Sequence, residues 1–218
     1  MELLKDLLDT LLHIDEKLND WIAAYGTLTY AILFLIVFVE TGLIVMPLLP
    51  GDSLLFTAGM FCAVPDPTLK IAVVIPLLIV AALMGDNVNY AVGRFFSAQV
   101  KKRKRILFFK REYIEKTEAF YEKHGGRTVI LARFVPIVRT VAPFVAGASN
   151  MPYVRYIAYC IGGAVLWVGS ITTLGYLFGN IPIIRENFEF VVLGIVVVSL
   201  LPILFGWIRS RSNKKKAA

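Results

Sequence analysis

The chain has 218 residues, of which 57% are hydrophobic and only 18% charged. A water-soluble domain carries about a quarter charged residues, so the composition excludes an ordinary soluble protein and points to a one-domain integral membrane protein. The formal net charge of +7 is concentrated in Lys101-Lys102-Arg103-Lys104-Arg105 and in the tail from Arg209 to Lys216; beside apolar runs, these clusters read as cytoplasmic flanks with some attraction to anionic lipid, and no nucleic-acid partner is expected.

Met1–Asp20 holds acidic residues throughout against Lys5 and Lys17, with no basic head before an apolar core, so it does not read as a signal peptide. Leu3, Leu4, Leu7, Leu8, Leu11, Leu12, Ile14 and Leu18 recur at helical spacing. Residues 1–24 are therefore predicted to be an amphipathic helix on the membrane surface. From Leu28 to Met46 runs a long apolar helix carrying Glu40, and it ends at Pro47-Leu-Leu-Pro50-Gly51-Asp52, which no membrane helix passes unbroken. The apolar run from Ser53 to Val64 that follows falls short of the ~20 residues a span needs. Residues 28–64 are therefore predicted to be a re-entrant hairpin, broken at Pro47, Pro50 and Gly51. Irregular backbone at membrane depth survives only where protein or water covers it.

Ile71 to Phe96 is long enough to cross. Asp86, Asn89 and Gly93 share one face of that helix, which must point inward. Asp86 reads either as a site acid or as a partner for asparagines on another helix. After the basic run, Leu107 to His124 is predicted to be a charged surface helix ended by Gly125-Gly126. Residues 128–149 repeat the earlier pattern, with Arg133, Arg139, breaks at Pro136 and Pro143, and Gly147 closing a second hairpin. Residues 151–179 form a second crossing, with Gly162, Gly163, Gly169 and Gly175 allowing close helix approach. Residues 181–218 supply a C-terminal transmembrane helix, Phe190 to Ile208, and a basic tail. Cys62 and Cys160 lie in apolar runs and are expected to pack, holding neither a disulfide nor a metal; no cofactor is expected.

Parity orders these pieces. The first crossing must end inside, before the basic cluster; the second hairpin returns to that face, and the last two crossings put the C-terminus inside again. The fold class that follows is an all-α integral membrane protein with two inverted repeats, each a re-entrant helical hairpin plus a transmembrane helix, with an additional C-terminal transmembrane helix and amphipathic surface helices. Inverted repeats with broken helices are what transporters use for alternating access. Charges in such segments cost about 2.5–3.5 kcal/mol each on insertion, so Glu40, Asp52, Arg133 and Arg139 are expected to face partners or a wet cavity.

Three motifs carry a resemblance: Glu40-Thr-Gly with Pro47-Leu-Leu-Pro-Gly-Asp-Ser-Leu-Leu, then Gly85-Asp-Asn-x-Asn-Tyr-x-x-Gly-Arg, then Ala132-Arg-Phe-x-Pro-x-x-Arg-Thr-x-x-Pro-x-x-Ala-Gly147. In this order they resemble the bacterial DedA family, over roughly residues 25–180. The resemblance implies a multi-pass protein of the bacterial cytoplasmic membrane, related to lipid scramblases of eukaryotic secretory membranes. Some members recycle undecaprenyl phosphate, others move phosphatidylethanolamine, and several depend on the proton motive force. It also implies that the required acids are Glu40 and Asp52 and the required arginines Arg133 and Arg139.

The chemistry of those residues agrees. A phosphomonoester carries about −1.5 to −2 charge at neutral pH, and arginine holds its oxygens with a planar fork that keeps its charge. Half-helix N-termini at the breaks add partial positive charge. Glu40 lies eleven residues beyond Thr29, or ~16 Å along a helix, about half the ~30 Å hydrocarbon core. Burial there disfavours its charged form, which makes it a candidate proton carrier, with Asp52 and Asp86 next in line. The expected partners are thus a polyprenyl phosphate or phospholipid, protons and membrane lipids, and a homodimer is a candidate assembly. Competing readings remain: Asp52 as a helix cap, Glu40 in a static ion pair, a proton-coupled small-ion or solute antiporter, or a non-transporting membrane-organising factor. A lipid phosphatase using His124 and Arg127 would want a second histidine, and the other one, His13, lies in the N-terminal helix; no enzyme is expected.

Overall fold

The structure is a computed structural model that describes residues 20–22, 24–42, 51–64, 68–96, 105–106, 109–110, 130, 133, 136–179, 181 and 194. A 3-10 turn, Gly26–Leu28, leads into α1, Thr29–Gly42. Then come α2, Gly51–Phe61, α3, Ile71–Phe95, a pair of two-residue strands β1, Arg105–Ile106, and β2, Phe109–Lys110, then α4, Pro136–Ala148, and α5, Tyr153–Phe178. The strands pair antiparallel, Arg105 with Lys110 and Ile106 with Phe109.

Helices α3 and α5 have 25 and 26 residues and are long and apolar enough to cross a membrane. At ~1.5 Å per residue each outruns the ~30 Å hydrocarbon core. On α3, Val73, Val80, Met84, Val88 and Phe95 stay exposed, at spacings of seven and four residues. On α5 the exposed set includes Ile161, Val165, Leu166, Leu174 and Leu177. Stripes of this kind suit lipid and would be a liability in water. By contrast α1, α2 and α4, with 14, 11 and 13 residues, are shorter than the ~20 a span needs.

The short helices pack on the long ones: α1 and α4 on α3, and α2 on α5, while α3 and α5 touch each other. Glycine makes two close, matching crossings possible. Gly59 of α2 lies against the Thr172 carbonyl of α5, and Gly175 of α5 against the Phe56 carbonyl of α2. The second crossing has the same form, with Gly147 of α4 against the Tyr90 carbonyl of α3 and Gly93 of α3 against the Phe144 carbonyl of α4. A methyl group at any of these glycines would enter the facing backbone, so the crossings depend on small residues. Phe56-Thr-Ala-Gly59 and Phe144-Val-Ala-Gly147 are thus two copies of one packing motif. The largest core cluster joins Leu33 and Val37 of α1, Leu54 and Leu55 of α2, Leu78 of α3, and Trp167 and Val168 of α5.

Several expectations are corrected. Pro143 does not break the chain: α4 runs through it to Ala148. Proline removes one N–H from the ladder, and inside a membrane bundle neighbouring groups can serve the carbonyls. The carbonyl that Pro143 leaves without a helical donor is that of Arg139, four residues back; Asn89 of α3 donates to the neighbouring Thr140 carbonyl at 3.2 Å and ties this turn to α3. Pro136, in contrast, is the first residue of α4, where its missing N–H costs nothing. The surface helix predicted from Leu107 is contradicted at 109–110, which belong to the strand pair. The rest of that predicted helix, Pro47 and Pro50, most of the N-terminal helix and, except for Gly194, the C-terminal crossing lie outside the described residues.

Candidate functional site

Four elements meet at one place, three of them bringing a charged group. Glu40 stands near the end of α1, Asp52 in the first turn of α2, Arg139 in the first turn of α4, and Trp167 near the middle of α5. Arg139 Nη1 donates to Asp52 Oδ1 at 2.7 Å, and its Nη2 pairs with Glu40 Oε1. Trp167 Nε1 donates to the same Asp52 oxygen at 2.9 Å. The indole ring also lies beside the guanidinium, whose Cζ is 4.9 Å from the ring centroid, a cation–π contact. The side chain of Glu40 is 1% exposed, that of Arg139 10% and that of Asp52 19%, so the triad opens on the Asp52 side. Gly51 makes room for the arrangement, since a Cβ there would overlap the Glu40 carboxylate.

A second pair sits deeper. Arg133 Nη2 pairs with Asp86 Oδ2, and both side chains are buried. The Cys160 thiol donates to the same Asp86 oxygen at 3.2 Å, and Tyr156 Oη donates to the Asp86 backbone carbonyl at 2.9 Å. Gly163 leaves space for the arginine, because a Cβ there would stand 2.8 Å from its Cδ and Nε. Among the described residues, Arg133 Nε has no protein acceptor. Asn89 Nδ2 bridges the Thr41 carbonyl at 3.0 Å and the Thr140 carbonyl at 3.2 Å, tying α1 to α4 across α3.

One cavity joins the two groups, lined by Thr41, Asp86, Arg133, Arg139, Thr140, Ala142, Pro143 and Trp167. Asp86 is the sixteenth of the 25 residues of α3, and Trp167 the fifteenth of the 26 of α5. The cavity therefore lies near the middle of both long helices. With all five groups ionised, three carboxylates and two guanidiniums sum to −1, and each arginine is matched to carboxylate in a poorly solvated setting where removal of one partner is costly.

The structure brings the five charged residues singled out in the sequence together, as the Arg139–Asp52–Glu40 triad and the Arg133–Asp86 pair. Asp86 is committed to Arg133, not to asparagines on another helix, and Arg133 pairs with neither Glu40 nor Asp52. Of the predicted breaks, Gly51 and Pro143 border the site, while Gly147 packs against Tyr90 away from it. Cys160 is more than a packing residue, since its thiol bonds the Asp86 carboxylate. Trp167 was not expected at all. Its mid-span position was the available signal, because tryptophan in membrane proteins gathers at the interfaces.

Comparison with known proteins agrees with the sequence motifs. The VTT domain family matches residues 49–177. Protein DedA of Escherichia coli (strain K12) is 49% identical over the full length of both chains. A membrane protein of Mycobacterium leprae (strain TN) is 44% identical over 90% of this chain and 89% of its own. The inner membrane protein YqjA of Escherichia coli (strain K12) is 31% identical over 94% of this chain and 92% of its own. No solved structure matches the chain.

Proposed function

The chain belongs to the DedA family of VTT-domain membrane proteins, and on that premise we propose that it moves a lipid phosphate across the bacterial cytoplasmic membrane in exchange with protons. The preferred cargo is undecaprenyl phosphate or a related phospholipid. The observation that carries this reading is a mid-helix cavity that both Arg133 and Arg139 line, with Glu40, Asp52 and Asp86 as their present counter-ions.

Charge counting links the cargo to protons. A phosphomonoester of about −1.5 to −2 added to a site of −1 would leave an excess negative charge that a low-dielectric interior does not tolerate. Protonating Glu40, the most enclosed member of the open triad, removes one charge and releases Arg139 Nη2. The planar fork of Arg139 then faces phosphate oxygens, and the spare Nε–H of Arg133 offers a further donor. On return, the carboxylates take the arginine back and displace the lipid.

The same reading takes α1 with α2, and residues 128–149, as two re-entrant hairpins in opposite orientation, with the C-terminus cytoplasmic. Support comes from the short lengths of α1, α2 and α4 and from the paired glycine crossings of α2 on α5 and α4 on α3. A membrane-embedded transporter of this kind needs no catalytic group and no metal.

The complete pairing of the acids with the arginines favours one second reading, a static brace that holds the helices together without transport. Reconstitution separates the two. Liposomes carrying undecaprenyl phosphate and a leaflet-specific probe are expected to show protein-dependent translocation that responds to a pH gradient. Translocation no faster than in empty liposomes would leave the brace.

A further inference from the structure

Trp167 touches both partners of the Arg139–Asp52 pair. Its N–H and Arg139 Nη1 end on the same oxygen, Asp52 Oδ1, at 2.9 and 2.7 Å. Its ring lies 4.9 Å from the guanidinium carbon, and the residue is 1% exposed. Far from either end of α5, it cannot serve as an interfacial anchor.

Two donors on one carboxylate oxygen compete, so each weakens the hold of the other. When the guanidinium turns away, the indole N–H stays with Asp52 and continues to stabilise its charge, which lowers the cost of opening the pair. The ring meanwhile offers the departing cation an aromatic surface. We propose that Trp167 is a positioning residue for anion exchange at Arg139: its N–H holds Asp52 while the guanidinium leaves the carboxylates for the incoming anion. The assignment rests on the lipid-phosphate reading above, and its test is built to separate the two.

Trp167→Phe keeps an aromatic face and removes the N–H. The purified full-length protein in detergent is titrated with radiolabelled farnesyl phosphate. Separately, without ligand, the rate at which phenylglyoxal modifies Arg139 is read by peptide mass spectrometry; it reports how often the guanidinium is free. Trp167→Phe is expected to weaken farnesyl phosphate binding roughly tenfold, the size of one hydrogen bond to a charged group, and to slow Arg139 modification by a similar factor. In an Asp52→Asn background the same substitution is expected to change both readouts by less than about twofold, because no charge is left for the N–H to hold. A merely structural tryptophan would lower the melting temperature alike in both backgrounds and leave the labelling rate unmoved. If phenylalanine does not fold at this site, replacing the indole by benzothiophene keeps the shape without the N–H and reads the same two quantities. Wild-type labelling rates in the N–H-deleted protein, or an equal loss in the Asp52→Asn background, would overturn the assignment. If the wild-type protein does not bind farnesyl phosphate, the lipid-phosphate reading falls, and the labelling rates alone decide the role of Trp167.

Discussion

Replacing Arg133 by alanine is expected to cost far more stability than any exposed substitution. Arg133 and Asp86 are both buried, and the arginine fills the space that Gly163 leaves on α5. The alanine variant keeps the Asp86 carboxylate with, among the described residues, the Cys160 thiol on its Oδ2 and opens a cavity beside Gly163. Breaking a buried pair from one side costs about 3–5 kcal/mol. For a chain of this size that is roughly 10 °C of melting temperature. Asp86→Asn, which strands the guanidinium, is expected to cost about the same. The informative measurement is the double variant. Arg133→Ala with Asp86→Asn leaves no unpaired charge, so its loss is expected to be smaller than the sum of the singles by about 2–3 kcal/mol. Thermal unfolding of the four proteins in one detergent completes the cycle. Strict additivity, or an Arg133→Ala loss within the ~0.5 kcal/mol typical of surface sites, would refute the buried pair.

Gly51→Ala is expected to abolish transport and lower the melting temperature, because its Cβ would occupy the Glu40 carboxylate position; Glu40→Asp, one methylene shorter, is expected to restore part of the stability in the same protein. Arg139→Lys keeps the charge but can no longer reach Asp52 and Glu40 with two nitrogens at once, so flux is expected to fall at least about tenfold while the protein still folds. Gly147→Ala is expected to separate α4 from α3 at Tyr90, with a loss of stability that Tyr90 substitutions do not repair, since the clash is with backbone; a melting temperature equal to wild type would show that the crossing is loose.

Most of the site could be read in the chain because a charge in an apolar run has few explanations. Glu40, Asp52, Arg133 and Arg139 stood out on that ground; Arg133, Arg139 and Asp86 line one cavity, and Glu40 and Asp52 join it through their ion pairs with Arg139. Which acid meets which arginine was not legible. Pairing is decided by how α1, α2 and α4 lean on α3 and α5, and by glycines such as Gly51 and Gly163 that leave room at single positions. Trp167 and Cys160 were hidden for another reason: in an apolar helix they count as hydrophobic, and their polar edges matter only once Asp52 and Asp86 are beside them. Pro143 misled because proline removes only one helical bond, and α4, packed on α3 and tied to it by Asn89 at the Thr140 carbonyl, continues past it. The lengths of the two long helices were legible to within a few residues, since a continuous apolar run admits few other structures.

The exchange of protons for lipid phosphate at the Arg139 triad is tested most directly by Glu40→Gln in liposomes, with flux and melting temperature measured on the same preparation. The wild-type protein is expected to move undecaprenyl phosphate faster when a pH gradient is imposed. Glu40→Gln, which mimics the protonated acid in shape and charge, is expected to keep a near-wild-type melting temperature, still bind lipid phosphate, and translocate at a rate that no longer responds to the gradient. A stable Glu40→Gln protein whose flux still follows the gradient would contradict the account.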